Sequence, residues 1–176
     1  MIGGGDIYSD DHVTLSGDGA RFDADTAYLG KNSQTIDYNI VADHFGKKTE
    51  SLITVNGALT DSAKKVFRGT IDFKKGSADS VGSENETVLM LGDDVVNKTV
   101  PLILCAEENV EGTHGATIGE LDADTMFYFE SRGIDRETAE KIMAYAAVER
   151  LIHMAEDSEF AAEAEKAMGI KTDTEE

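Results

Sequence analysis

Two side chains carry most of the chemistry this sequence offers: Cys105, its single cysteine, and His114. A thiolate and an imidazole are common protein ligands for transition metals. Nine residues separate the two, and nothing in that spacing makes them neighbours in a folded chain. Cys105 ends the apolar run Leu102-Ile103-Leu104, where a cysteine is expected to act as a small buried hydrophobe. His114 lies between Glu111-Gly112-Thr113 and Gly115-Ala116. Little bulk shields it there. It can serve as a metal ligand, a proton-linked interface residue or an ordinary surface histidine. His12, His44 and His153 are weaker candidates, and His44, in Val41-Ala42-Asp43-His44, is the strongest of them.

Other chemistries are missing from the sequence. No Walker A pattern is present, so no P-loop for ATP is expected, and no Gly-x-Gly-x-x-Gly follows a strand. One cysteine forbids Cys-x-x-Cys, and no Gly-x-Ser-x-Gly elbow occurs. The 35 acidic residues are too many and too scattered for any two to be named as acid and base.

The elements that must position Cys105 and His114 follow from apolar periodicity. Before residue 120 the apolar residues come in short β-branched or aromatic runs bounded by Gly, Asn, Asp or Ser. They are 12–15, 35–41, 51–55, 66–73, 87–91 and 99–104. Many short strands mean a sandwich, a barrel or a β-solenoid. Few two-residue hairpin turns link them; Asn56-Gly57 is the one clear candidate. That scarcity favours a coil of parallel strands. Its open end must be capped or paired, so a coil cut short at residue 1 is expected to dimerise or fray.

After residue 120 the period becomes helical. Asp122 is the expected N-cap of a helix over 123–131, and Gly133 fits the left-handed residue that ends it. Asp135 is expected to cap a second helix from Arg136 to about Ala155. Ile142, Met143, Ala146 and Arg150 define its predicted face, widened by Tyr145, Val148 and Ile152. So wide an arc suggests contact on two sides. A last helix is expected over 158–168, stopped by Gly169, with a frayed end from Lys171 to Glu176. The expected domains are therefore 1–119, β-solenoid, and 120–176, helical.

Composition narrows the partners. The chain has 176 residues, 40% hydrophobic, and a formal charge of −19. That charge argues against nucleic acid, whose phosphates need clustered Lys and Arg, and against anionic membrane surfaces. The segment from Glu120 onward carries 16 acidic and 6 basic residues. Such a surface serves solubility or steers a basic partner. Met1 to Asp6 has neither a basic stretch nor an apolar one, and no stretch approaches the length of a membrane helix. With a single cysteine, the expected compartment is the reducing cytoplasm.

The segment Thr113-His114-Gly115-Ala116-Thr117, with Phe127-Tyr128 and Ser131-Arg132-Gly133-Ile134 after it, resembles the C-terminal signature of the SufB/SufD family. These are scaffold subunits of an iron–sulfur cluster assembly machine. Val66-Phe67-Arg68-Gly69-Thr70-Ile71, Asn85 with Val88-Leu89-Met90-Leu91, Pro101 and Asn109-Val110 fit the same pattern in the same order, so the resemblance covers roughly residues 10–155. It implies a right-handed parallel β-helix followed by a small C-terminal helical domain. It implies a non-catalytic scaffold, partnered by a SufC-type ABC ATPase and by a SufB-like scaffold or a second copy of itself. Phe127, Tyr128, Arg132 and Gly133 match the region that meets the ATPase. His114, with Cys105 as a weaker candidate, matches the metal-binding side of the scaffold interface. An iron–sulfur cluster would be held there transiently as cargo, with no cofactor intrinsic to the chain.

Departures from the family pattern favour the accessory, SufD-like role. Gly112 stands where SufD-like chains often carry Cys, Gly115 where SufB-like chains carry Glu, and no cysteine lies near Asp94-Val95. The sequence is also much shorter than a full member. The competing reading is a β-helix carbohydrate-active enzyme, a polysaccharide lyase or hydrolase. It needs paired carboxylates or a basic residue in a long groove, and usually a secretion signal.

Overall fold

The computed structural model describes residues 1–2, 4–154 and 157–168. Ala155, Gly169 and the segment 171–176 lie outside them, so the expected stop and frayed end fall outside the described residues.

The strands are β1 (Ile7–Leu15), β2 (Arg21–Gly30), β3 (Thr35–His44), β4 (Glu50–Thr60), β5 (Lys64–Phe73), β6 (Ser80–Leu91), β7 (Val96–Cys105) and β8 (Val110–Glu120). They form two parallel sheets, ordered β1-β3-β5-β7 and β2-β4-β6-β8. Successive strands thus alternate between sheets, and each turn of the coil stacks in register on the one before. Ile36 sits opposite Ile7, Lys65 opposite Ile36 and Asn97 opposite Lys65. The period is about 30 residues, within the range of repeat architectures. The fold is a β-solenoid.

Its core lies between the sheets. In β3 every second residue, Ile36, Tyr38, Ile40, Ala42 and His44, is buried, and β5 repeats the pattern. Parallel stacking puts like on like. Tyr38 and Phe67 stack with centroids 4.7 Å apart, and His44 lies 4.7 Å from Phe73. Such ring pairs add about 0.5–1.5 kcal/mol beyond their buried area. Asn56-Gly57 makes no hairpin; both residues lie inside β4. Gly57 faces Tyr28 of the neighbouring strand, and a Cβ there would stand 2.5 Å from the ring. The glycine is a seat for an aromatic ring, not a turn.

The corners are fixed by short polar side chains. Asn32 and Asp61 adopt left-handed backbone at φ 54° and 57° on successive turns of one corner, a conformation these residue types tolerate. The Asp61 carboxylate accepts the Asn32 N–H at 2.8 Å, and Asp18 accepts the Lys47 N–H at 2.9 Å. Each carboxylate ties one turn to the next.

The helices are α1 (Ala123–Ser131), α2 (Arg136–Met154) and α3 (Ser158–Met168). Asp122 caps α1 by accepting the Thr125 N–H at 2.7 Å, and Gly133 follows at φ 77°. Asp135 accepts the Thr138 N–H at 2.8 Å at the start of α2. The outer face of the β2-β4-β6 region supplies Ala27, Leu29, Ala58 and Leu91, which form a second core with Ala144, Val148, Ile152, Ala164 and Met168. Small alanines on the sheet let the helix approach closely. The buried face of α2 differs from the predicted one. Ala139, Ala144, Val148 and Ile152 are its buried residues, while Ile142 is 42% exposed and Ala146 and Arg150 face solvent. Alanine carries little pattern in a sequence, so the larger side chains misplaced the stripe.

Candidate functional site

The last turn of the coil, β7 and β8, holds both sequence candidates. Residues paired in a parallel ladder point to the same face. His114 pairs with Glu84 and Cys105 with Phe73, and both lower residues face the interior. His114 and Cys105 therefore stand on the inward side of the outermost turn, on opposite sheets. His114 is exposed, as its small neighbours suggested. Cys105 is also exposed, against the expectation of a buried hydrophobe. Its strand is stacked on one side only, so an apolar sequence neighbourhood does not guarantee cover. Among the described residues no three His, Cys, Asp or Glu side chains converge on a metal-sized position. The two candidates are thus two separated donors, and a cluster would need further ligands from elsewhere.

Directly beneath lies a group that periodicity alone could have revealed. Lys65 is in phase with Phe67 and Phe73 on β5, and Glu84 and Glu86 are in phase with Val88 on β6. All three are buried at 0–3% exposure. The Lys65 ammonium donates to the Glu86 carboxylate and, at 3.1 Å, to the Thr99 hydroxyl. It also lies 5.6 Å from the Tyr28 ring centroid. Burial pulls Lys65 down, opposed by the Glu86 charge. Glu84 takes no ammonium of its own. Burial, reinforced by Glu86, pushes its carboxyl up to about 7, and Lys65 opposes the shift. Gly69 faces it, and a Cβ at that position would collide with the carboxyl group. The Tyr28 and Tyr38 hydroxyls are buried in the same core with no protein partner. The Glu84 and Glu86 carboxylates thus face the inside of the coil, whereas Asp43 and Asp72, side by side on the outer face, are both paired with Lys74.

His44 is structural. Its Nδ1 pairs with the Thr49 hydroxyl at 2.7 Å and its Nε2 with the Ser51 hydroxyl at 2.9 Å. Burial holds it below the usual histidine range. His12 pairs with Asp43 at 2.6 Å on the outer surface, and His153 is exposed.

The third feature is on α1. Phe127 is 72% exposed and Tyr128 56%, while Met126 beside them is buried. The Arg132 guanidinium lies 5.1 Å from the Tyr128 ring centroid. Gly133 closes the helix by donating to the Glu130 carbonyl at 2.9 Å, and its left-handed φ turns the chain away. The result is an aromatic and cationic knob standing clear of the coil. Both rings present apolar surface to solvent next to the Arg132 charge.

Comparison with known proteins agrees with this geometry. The family model for the SufBD core domain of the SUF iron–sulfur cluster assembly system matches residues 1–147. The iron–sulfur cluster assembly protein SufD of Bacillus subtilis is 32% identical over 145 residues, covering 82% of this chain and 33% of that protein. The chloroplastic SufBD family protein ABCI8 of Arabidopsis thaliana is 27% identical over 90% of this chain and 28% of its own length. SufD of Escherichia coli is 22% identical over 89% of this chain and 37% of its own. The chain thus spans about a third of the length of these relatives. With a coil whose last turn carries the His-Gly-Ala-Thr segment and a helical region that carries the aromatic knob, it belongs to the SufB/SufD family.

Proposed function

We propose that this chain is a SufD-like scaffold subunit of a cytoplasmic SUF-type iron–sulfur cluster assembly complex, with no catalytic centre of its own. In this reading α1 docks a SufC-type ABC ATPase and the free edge of β7 and β8 pairs with a sister scaffold. The observation that carries it is the exposed pair Phe127 and Tyr128 on a capped helix, in a chain of this family. A helix that only covered the coil would turn both rings inward. One edge of β7 and one of β8 have no strand partner among the described residues, and a parallel edge takes an added strand through its main-chain groups. Cluster chemistry at that junction would use His114 and Cys105 as donors from this side, with the remaining ligands supplied by the partner. The cluster is cargo. This chain's contribution is to hold two donors at fixed places on a rigid ladder.

The test uses the full chain, because removing the helices would strip the cover from Ala27, Leu29 and Ala58. Phe127→Ala with Tyr128→Ala should lower affinity for a SufC-type ATPase by about a hundredfold, as loss of two aromatic anchors at an interface centre does. Melting should be little changed, because neither ring is buried. Unchanged affinity would refute the assignment of α1.

A further inference from the structure

The two sheets differ on their outer faces. The helices pack on the outer face of β2, β4 and β6, whereas side chains on that of β1, β3, β5 and β7 meet solvent. The chain carries a charge of −19, yet this open face is balanced. Asp37 pairs with Arg68, and Asp43 and Asp72 share Lys74. Asp10 accepts from the Asn39 amide at 2.8 Å. Lys64 and Lys98, in register on the same face, bring the cations level with the carboxylates. Along β7 the face also presents Val100, Leu102 and Leu104, 41–51% exposed. Elsewhere the net charge drives copies apart; here the charges cancel and apolar surface is left over.

The ladder sets Leu102, Thr70, Val41 and His12 in one row across the strands. A second copy laid face to face, related by a two-fold axis along that row, is self-complementary. Leu102 meets Leu102 of the other copy, and Val100 meets Leu104. The neighbouring rows place Arg68 of each copy opposite Asp72 of the other, and Asn39 opposite Asp43. No carboxylate falls opposite a carboxylate. Four strands of nine or ten residues cover about 600 Å², so pairing removes about 1,200 Å² in total, the low end of specific interfaces. We infer that this chain self-associates weakly through the outer face of β1, β3, β5 and β7, a contact apart from α1 and from the open end of the coil.

Sedimentation equilibrium of the full chain tests this, at about 150 mM NaCl so that the overall charge is screened beyond about 8 Å. Wild type should show a reversible monomer–dimer equilibrium with a dissociation constant of about 1–100 μM. Leu102→Asp sets two carboxylates face to face and should weaken it at least about tenfold. Leu102→Ser keeps the test open should circular dichroism show that variant to fold poorly. Arg68→Glu alone and Asp72→Arg alone should each be monomeric, because like charges then meet across the axis. Their equal mixture should pair, because opposite charges meet again. A wild type that stays monomeric at about 500 μM, well above that range, overturns the inference. So does a Leu102→Asp dimer as strong as wild type, or a mixture no more associated than its components. None of these results touches the ATPase contact of α1, and Phe127→Ala with Tyr128→Ala should leave the dimer intact.

Discussion

Glu84 shows how far one residue can be read. Its type suggests a solvated surface carboxylate. Its phase with Val88 places it inside, and the ladder sets it beneath His114 and above Ile53. Two buried carboxylates and one ammonium cannot all be charged cheaply, so Glu84 is the group that stays protonated. The sign of the pH effect follows. A carboxyl whose folded value is raised to about 7 stabilises the fold below its ordinary range and loses that contribution as pH rises through 7. From pH 5 to 8 the fall should be about 2–3 kcal/mol. His44, held low by burial, works the other way, favouring the fold above its ordinary range and losing that as pH falls. Glu84→Gln isolates the first effect. Thermal melts should show its stability declining less than wild type between pH 6 and 8; parallel curves would show that Glu84 is already ionised in the fold. Cys105 marks the limit of residue-level reading. Its apolar neighbours are a true strand, but no sequence signal says that the strand is the last of the stack.

At the scale of elements, strands with a pure apolar alternation were legible and two others were not. β2, Arg-Phe-Asp-Ala-Asp-Thr-Ala-Tyr-Leu-Gly, and β8, rich in Gly and Thr, lack the β-branched runs that mark an isolated strand. They are strands because the turn beneath offers a complete row of hydrogen bonds, which makes local propensity secondary. Within the predicted arc of α2, packing on the sheet selects Val148 and Ile152 with Ala139 and Ala144, and leaves Ile142 and Ala146 outside. Substitution distinguishes the two faces. Ile152→Ala should lower stability by about 2–4 kcal/mol, the usual result of emptying a packed site. Ile142→Ala should stay within about 0.5 kcal/mol. Chemical denaturation midpoints that rank the two in the opposite order would mean the helix is rotated from its place on the sheet. The helix ends, by contrast, were readable, since Asp122, Gly133 and Asp135 each do the job their side chain or backbone suits.

The whole molecule is a spine with a helical cover on one of its two sheets. Register stacking makes the coil stiff, and the helices cover the outer face of one sheet, leaving the aromatic knob and the β7–β8 edge uncovered. The architecture was approachable from the sequence because solenoid strands need no hairpins. The choice of a coil over a sandwich, and the role, rested on motif order, since no local pattern records which strand stacks on which. The large negative charge acts at this scale too. A net charge of −19 disfavours nucleic-acid phosphates and anionic lipid surfaces as partners. No described helix is long and apolar enough to cross a membrane.

The central claim is that the spine presents α1 to the motor that drives assembly. Amide hydrogen exchange of the full chain, with and without a SufC-type ATPase, addresses it directly. The account predicts that exchange slows over α1 and the turn through Gly133 and Ile134, while the outer face of β1, β3 and β5 keeps its free-state rates. Binding that leaves the α1 amides unchanged and protects the sheet face instead would contradict it.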